Sequence, residues 1–83
     1  MQLGVYSLEK VLYQGEASSV NCNTKSGEIT ILNHHEALIS ILASGVLKII
    51  DTHNQEYYIP VDSGFLEVNS RNETKILVQE TAI

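Results

Sequence analysis

Three histidines, one cysteine and ten carboxylates are the side chains of this 83-residue chain with the chemistry to hold a metal or act on a substrate. His34 and His35 are adjacent, and on a strand neighbouring side chains point to opposite faces, so the pair does not chelate one ion. With only Cys22 and His53 elsewhere, the ligands of a zinc site are not assembled. Serine and histidine occur together, but no glycine-flanked nucleophile elbow accompanies them. The five glycines are dispersed, one to a turn or bulge, so there is no Gly-rich loop to cradle a phosphate. Glu9 with Glu16, or Glu28 with Glu36, would serve as acid and base only in a shared cleft. In a chain with ten acids such pairs are easily found, and a solvated surface explains them as well. No catalytic residue, metal site, nucleotide site or cofactor is expected. Asn72-Glu73-Thr74 has the form of a glycosylation acceptor, which has meaning only in a secreted chain.

The formal charge is −5, ten acids against five bases. Nucleic-acid binding relies on Lys and Arg to neutralise phosphates, and anionic lipid attracts the same residues, so neither partner is expected. A single cysteine excludes an internal disulfide framework and fits a reducing compartment. No stretch approaches the roughly 18 apolar residues of a membrane span. Met1-Gln2-Leu3-Gly4 lacks the basic and apolar regions of a signal peptide. An acidic, soluble, cytoplasmic-side domain is expected, with 43% hydrophobic residues for one core.

The elements that would position any site are short runs of β-branched and aromatic residues punctuated by turn residues. Strands are expected at Gln2–Leu8, at Val11–Cys22 with a break at Gly15, and at Glu28–Leu32, Leu38–Leu42 and Gly45–Asp51. Further strands are expected at Gln55–Val61, Gly64–Val68 and Thr74–Gln79. Thr24-Lys25-Ser26-Gly27, His53-Asn54 and Asn69-Ser70-Arg71-Asn72 read as tight connections. Pro60 marks an edge or a bulge. His35–Ser44 is ambiguous, since Leu38, Ile41 and Leu42 would share a helix face. The β-branched Ile39 and Ile41 and the early Gly45 favour a strand. Many short strands at this spacing imply an all-β sandwich or small barrel.

Two of these runs are apolar on both faces. Ala37, Ile39 and Ile41 alternate with Leu38, Ser40 and Leu42; Val46 and Ile50 alternate with Leu47 and Ile49. A sandwich buries one face of each strand. The outward set needs a cover, which a partner protein, a loop or the chain ends would provide.

The order of these features carries a resemblance. The opening Glu9-Lys10-Val11-Leu12-Tyr13-Gln14-Gly15-Glu16 is followed by Thr24, Gly27-Glu28, Ile31-Leu32, His35 and Leu38. Then come Gly45-Val46-Leu47-Lys48-Ile49, Val61, Gly64-Phe65-Leu66-Glu67-Val68 and Thr74-Lys75-Ile76-Leu77-Val78. Across residues 2–80 this series resembles the N-terminal β-sandwich domain of the ε subunit of F-type ATP synthases. Thr30, Asn33, Glu36, Ala37 and Ser63 depart from that family's pattern. Two of them replace prolines, which loosens the loop around His34.

The resemblance implies a flattened two-sheet β-sandwich of about eight to ten short strands. It also implies one domain over residues 1–83, without the family's C-terminal helical hairpin. The implied role is non-catalytic: a central-stalk subunit of a proton- or sodium-translocating enzyme, joining the γ subunit to the ring of c subunits. Its place would be the cytoplasmic face of the bacterial inner membrane or the equivalent organellar face, peripheral through the complex. Ser7, His35, Leu38 and Ser40 would meet γ; Lys25, Ser26, Gly27 and Glu28 would meet the c-ring. Two other classes compete. One is a lipoyl- or biotinyl-type carrier, for which Lys48 lies within a strand and Lys25 lacks the flanking Asp or Met. The other is a ligand-binding sandwich, which needs a concave pocket.

Overall fold

A computed structural model of the chain describes residues 1–80; the last three residues of the expected domain lie outside them. The described residues contain seven strands and no helix. They are β1 (Gln2–Tyr6), β2 (Val11–Thr24), β3 (Gly27–Leu32), β4 (Leu38–Leu42), β5 (Gly45–Asp51), β6 (Glu56–Val68) and β7 (Glu73–Glu80). All belong to one mixed sheet, in which only β1 and β7 run parallel.

The count is seven rather than eight to ten because two expected breaks are not breaks. The runs at 55–61 and 64–68 are one strand that passes through a bulge between Val61 and Ser63. A bulge bends and twists a strand without ending it. Pro60 sits just before that bulge, opposite Val46. Gly15 likewise lies within β2, at φ 150°.

Fusing these runs gives two long strands that each change partners along their length. The start of β2 pairs with β1, and its later residues pair with β5 and β3. The first half of β6 pairs with β5, and its second half lies between β4 and β7. Pairings therefore close a circuit through β1, β2, β5, β6 and β7. β3 extends β2; β4 extends β6 and returns to β2 through the bridge Thr24–Leu42.

The core lies inside this circuit. Val5, Val20, Leu47, Leu66 and Ile76 face it from five different strands and are at most 2% exposed. Burying a side chain of that size contributes about 1.5–3 kcal/mol. Gly64 sits where β6 is most crowded. A Cβ there would stand 2.5 Å from the Leu77 carbonyl oxygen and 3.1 Å from Leu42 Cδ1.

Two hairpins use the same turn. Asp51 Oδ1 accepts from the N–H groups of His53 (2.8 Å) and Gln55 (3.0 Å), and Asn54 takes φ 64°. Asn69 Oδ1 accepts from Arg71 (2.8 Å) and Glu73 (3.2 Å), and Asn72 takes φ 60°. Asn tolerates this left-handed conformation better than most residues. In the β2–β3 hairpin, the Thr24 hydroxyl accepts from Ser26 N–H and donates to the Gly27 carbonyl, with Gly27 at φ 121°. The 33–37 loop, expected to be loose for want of prolines, is pinned. His34 adopts φ 63° and donates its N–H to Asn72 Oδ1 at 2.6 Å, and Asn33 Oδ1 accepts from the Met1 ammonium.

Backbone N–H donors, Gln55 first, hold the Asp51 carboxylate below its usual pKa, with help from His53 N–H and Tyr57. A depressed carboxylate stabilises the fold above its unfolded pKa, and that contribution is lost as pH falls through the folded pKa. Asn69 fills the equivalent position in the other turn, so Asp51→Asn keeps the geometry and removes the charge. The variant should melt below the wild type at pH 7. The gap should close as pH drops below the ordinary aspartate pKa of about 3.9, as followed by thermal denaturation across pH.

Candidate docking surface

The residues with chemical potential are dispersed. No group of three or more His, Cys, Asp or Glu side chains able to hold a metal occurs among the described residues. Cys22 is fully buried on the core side of β2, and burial pushes its thiol up to about 11, which makes it a poor nucleophile. His35 is a turn residue. Its N–H donates to the Leu32 carbonyl at 3.2 Å, and Nδ1 lies 2.8 Å from the Glu36 carbonyl. Lys48 lies mid-strand on β5, 3.9 Å from Glu56.

The sheet has two outward faces of different make-up: large apolar side chains adjoin in register on one, and on the other Leu32 and Val46 are exposed singly among polar residues. One is formed by β3, β2, β5 and the first half of β6. A row across it reads Thr30, Asn21, Lys48, Tyr58. These side chains are satisfied within the chain. Asn21 Nδ2 donates to Thr30 Oγ1 at 2.8 Å, and the Tyr58 hydroxyl donates to Glu56 Oε1 at 2.5 Å. The other face is formed by β4, the second half of β6, β7 and β1. Its corresponding row reads Ile41, Phe65, Leu77, Tyr6. Ile41 is 52% exposed, Phe65 49%, Leu77 58% and the neighbouring Ile39 67%. No described loop or terminus covers them. Four large apolar side chains in contiguous register in so small a domain mark an interaction surface.

The expected γ-contact residues lie around this face. β1, β4 and β7 run in one direction and β6 in the other. His35 and Leu38 therefore stand at the corner where β4 begins, and Ser7 stands at the diagonal corner where β1 ends. Ser7 joins Tyr6, Leu8, Phe65 and Leu77 in lining a shallow groove. Its hydroxyl is engaged by the turn, accepting from Lys10 N–H and donating to the Lys10 carbonyl. Leu38 and Ser40 lie on β4, but their side chains point to the core side, opposite the buried Val68 and Leu66. The outward side of β4 is Ile39 and Ile41.

The expected c-ring residues form a separate group. Lys25, Ser26, Gly27 and Glu28 make the exposed tip of the β2–β3 hairpin. The Lys25 N–H donates to the Ile41 carbonyl at 3.0 Å, so the tip lies at the end of β4 remote from His35. The length of β4 lies between the tip and His35, about 13 Å at roughly 3.3 Å per residue, whereas Ser40 lies next to Ile41 on the same strand.

The chain matches, over residues 1–82, the family described as ATP synthase, Delta/Epsilon chain, beta-sandwich domain. It belongs to that family. Among curated relatives, the ATP synthase epsilon chain of Dichelobacter nodosus is 32% identical over 81 residues, covering 98% of this chain and 56% of the relative. The epsilon chain of Neisseria meningitidis is 38% identical over 69 residues, covering 82% and 49%. The chain thus spans about half the length of these relatives. A chain of the Euglena gracilis mitochondrial ATP synthase, in a structure of OSCP, F1 and c-ring, superposes with a TM-score of 0.91 at 22% identity, covering 99% of this chain and 52% of that one. A chain of the Tetrahymena thermophila mitochondrial ATP synthase central stalk and c-ring gives 0.81 at 22% identity, covering 96% and 63%. These two likenesses establish the fold. This epsilon-type domain is non-catalytic.

Phe65, Leu77 and Ile41 were not among the expected site residues. For Ile41 the signal was the two-sided apolar run. Phe65-Leu66 and Ile76-Leu77-Val78 carry the same signal, since consecutive apolar residues on a strand must face both ways.

Proposed function

We propose that this chain is a central-stalk module of a proton- or sodium-translocating F-type ATP synthase, joining the γ subunit to the c-ring and helping to transmit rotation. In this reading residues 1–83 act as one domain and the two faces are the outer surfaces of a flattened sandwich. The domain is peripheral to the membrane through the complex, on the cytoplasmic side in bacteria or the equivalent side in an organelle. No helix among the described residues is long and apolar enough to cross a membrane.

The contrast between the two faces is the observation that carries this reading. The Ile41, Phe65, Leu77, Tyr6 row is apolar and uncovered, while the Thr30, Asn21, Lys48, Tyr58 row is polar and self-satisfied. A subunit held permanently on a rotor needs the first kind of surface. Its central aromatic, Phe65, is the type of residue that dominates interface energetics. Ser7 and His35 border this surface, Leu38 and Ser40 support it from the inner side of β4, and γ is its occupant. The Lys25–Glu28 tip offers donors and a carboxylate to polar loops of the c-ring. Such rim contacts contribute about 0–1 kcal/mol each.

Phe65→Asp should weaken γ binding by at least about thirtyfold, the equivalent of a 2 kcal/mol hot spot. It should leave the melting temperature of the free domain nearly unchanged, because the ring is half exposed. Val46→Asp, equally exposed on the polar face, should bind as the wild type does in the same calorimetric titration. The reverse ranking would assign the docking surface to the wrong side.

For the hairpin tip, a Glu28→Cys variant should cross-link to cysteines placed in the polar loop of the c subunit. Arg71→Cys, on the β6–β7 turn at the His35 end, should not. Cross-linking through Arg71→Cys instead would mean that the domain sits the other way up. The native Cys22 thiol is buried and adds no background.

A further inference from the structure

The apolar face carries one pair of opposite charges at its centre. Glu67 on β6 and Lys75 on β7 are directly opposed in register. Both are exposed, and they share a groove with Ile39, Phe65 and Leu77. They lie one row away from the apolar row, on the same outward side, since Glu67 also opposes Ile39 of β4 and Lys75 opposes Gly4 of β1. In the free domain water solvates both, and such a pair is worth little. When a partner covers Ile39, Phe65 and Leu77, water is removed from Glu67 and Lys75 as well. A buried charge is tolerated only if it is paired, and a lone one is strongly penalised.

We infer, resting on the docking role proposed above, that Glu67 and Lys75 close on each other under the partner and that the partner surface opposite them is apolar and uncharged. Two features of the geometry select this arrangement. The cross-strand register sets the two residues side by side, within reach of one another without any movement of the backbone. The outward neighbours that flank the pair, Ile39, Phe65, Leu77 and Gly4, are uncharged, and the next carboxylate along β7, Glu73, lies at the turn, where it accepts from Asn69 Nδ2 at 2.7 Å. The pair is neutral as a unit, so a neutral apolar surface complements it, whereas a partner carboxylate or ammonium at this place would leave one charge in excess. The pair thereby acts as a specificity filter. It adds little attraction and rejects charged surfaces that would otherwise settle on an exposed apolar face.

A charge-swap cycle tests this, using the full chain and recombinant γ subunit in calorimetric titrations. Glu67→Lys and Lys75→Glu each place two like charges under the partner, and each should weaken binding at least about tenfold. The double variant carrying both substitutions restores one of each sign and should return to within about threefold of the wild type. Thermal denaturation of each free variant separates loss of binding from loss of fold. If the double variant binds worse than either single one, the partner supplies its own charges to Glu67 and Lys75, and the inference is overturned. If all three bind like the wild type, the pair stays solvated in the complex, and the inference is overturned as well. Phe65→Asp run alongside distinguishes these outcomes from failure of the docking role itself, in which case it too would bind like the wild type.

Discussion

Two strands, β2 and β6, are each long enough to serve both sides of the domain, and the rest of the structure depends on that sharing. β2 has 14 residues and hydrogen-bonds to four other strands; β6 has 13 and hydrogen-bonds to three. A chain of this size buries only about 60% of the surface that its unfolded form exposes. It has neither helix nor disulfide among the described residues to make up the difference. Continuous hydrogen bonding around a closed circuit satisfies the backbone of most strands on both edges. The remaining free edges belong to β3, to β4, to the first half of β6 and to the start of β2.

That architecture commits every second residue of each strand to the core. On β7 these are Thr74, Ile76 and Val78, all buried; Thr74 Oγ1 donates to the sulfur of Met1 at 3.3 Å. The alternate residues are surplus to folding, and their character records what lies outside. On β2 they are Ser19, Asn21 and Asn23, which suit water, and on β5 Lys48 stands between Val46 and Ile50. On β4, β6 and β7 they include Ile39, Ile41, Phe65 and Leu77, which do not. Because side chains alternate with a period of two, a shift of one residue in register would exchange core and surface sets. The bulge between Val61 and Ser63 is therefore consequential. It lets one strand pair with β5 in one register and with β4 and β7 in another while both halves keep their apolar residues inward.

Much of this was legible in the chain. The strand at Leu38–Leu42, chosen over a helix on β-branching and the early glycine, is β4. The turns at His53-Asn54 and Asn69–Asn72 are hairpin connections as expected, each held by a side-chain oxygen, of Asp51 and of Asn69, that accepts backbone N–H groups. What could not be read was continuity: Gly15 and the Asp62-Ser63-Gly64 segment look like breaks in a linear sequence. Whether a glycine ends a strand or bends it depends on partners far away in the chain. For the same reason the two-sided apolar run showed that β4 needed a cover without showing which side was open. Leu38 and Ser40 were expected to be contact residues, yet pairing with Val68 and Leu66 turns them inward and leaves Ile39 and Ile41 to the outside. Phe65 and Leu77 become part of a surface only once β6 and β7 are placed beside β4.

The central claim is that one outward face of this sheet, and not the other, is covered in the assembled rotor. Methyl-labelled nuclear magnetic resonance of the domain, titrated with the γ subunit, tests it directly. Ile39, Ile41 and Leu77 report on the apolar face; Leu32 and Val46, comparably exposed, report on the polar one. The account predicts that the methyl signals of Ile39, Ile41 and Leu77 shift on complex formation while those of Leu32 and Val46 stay in place. Shifts confined to Leu32 and Val46 would contradict it.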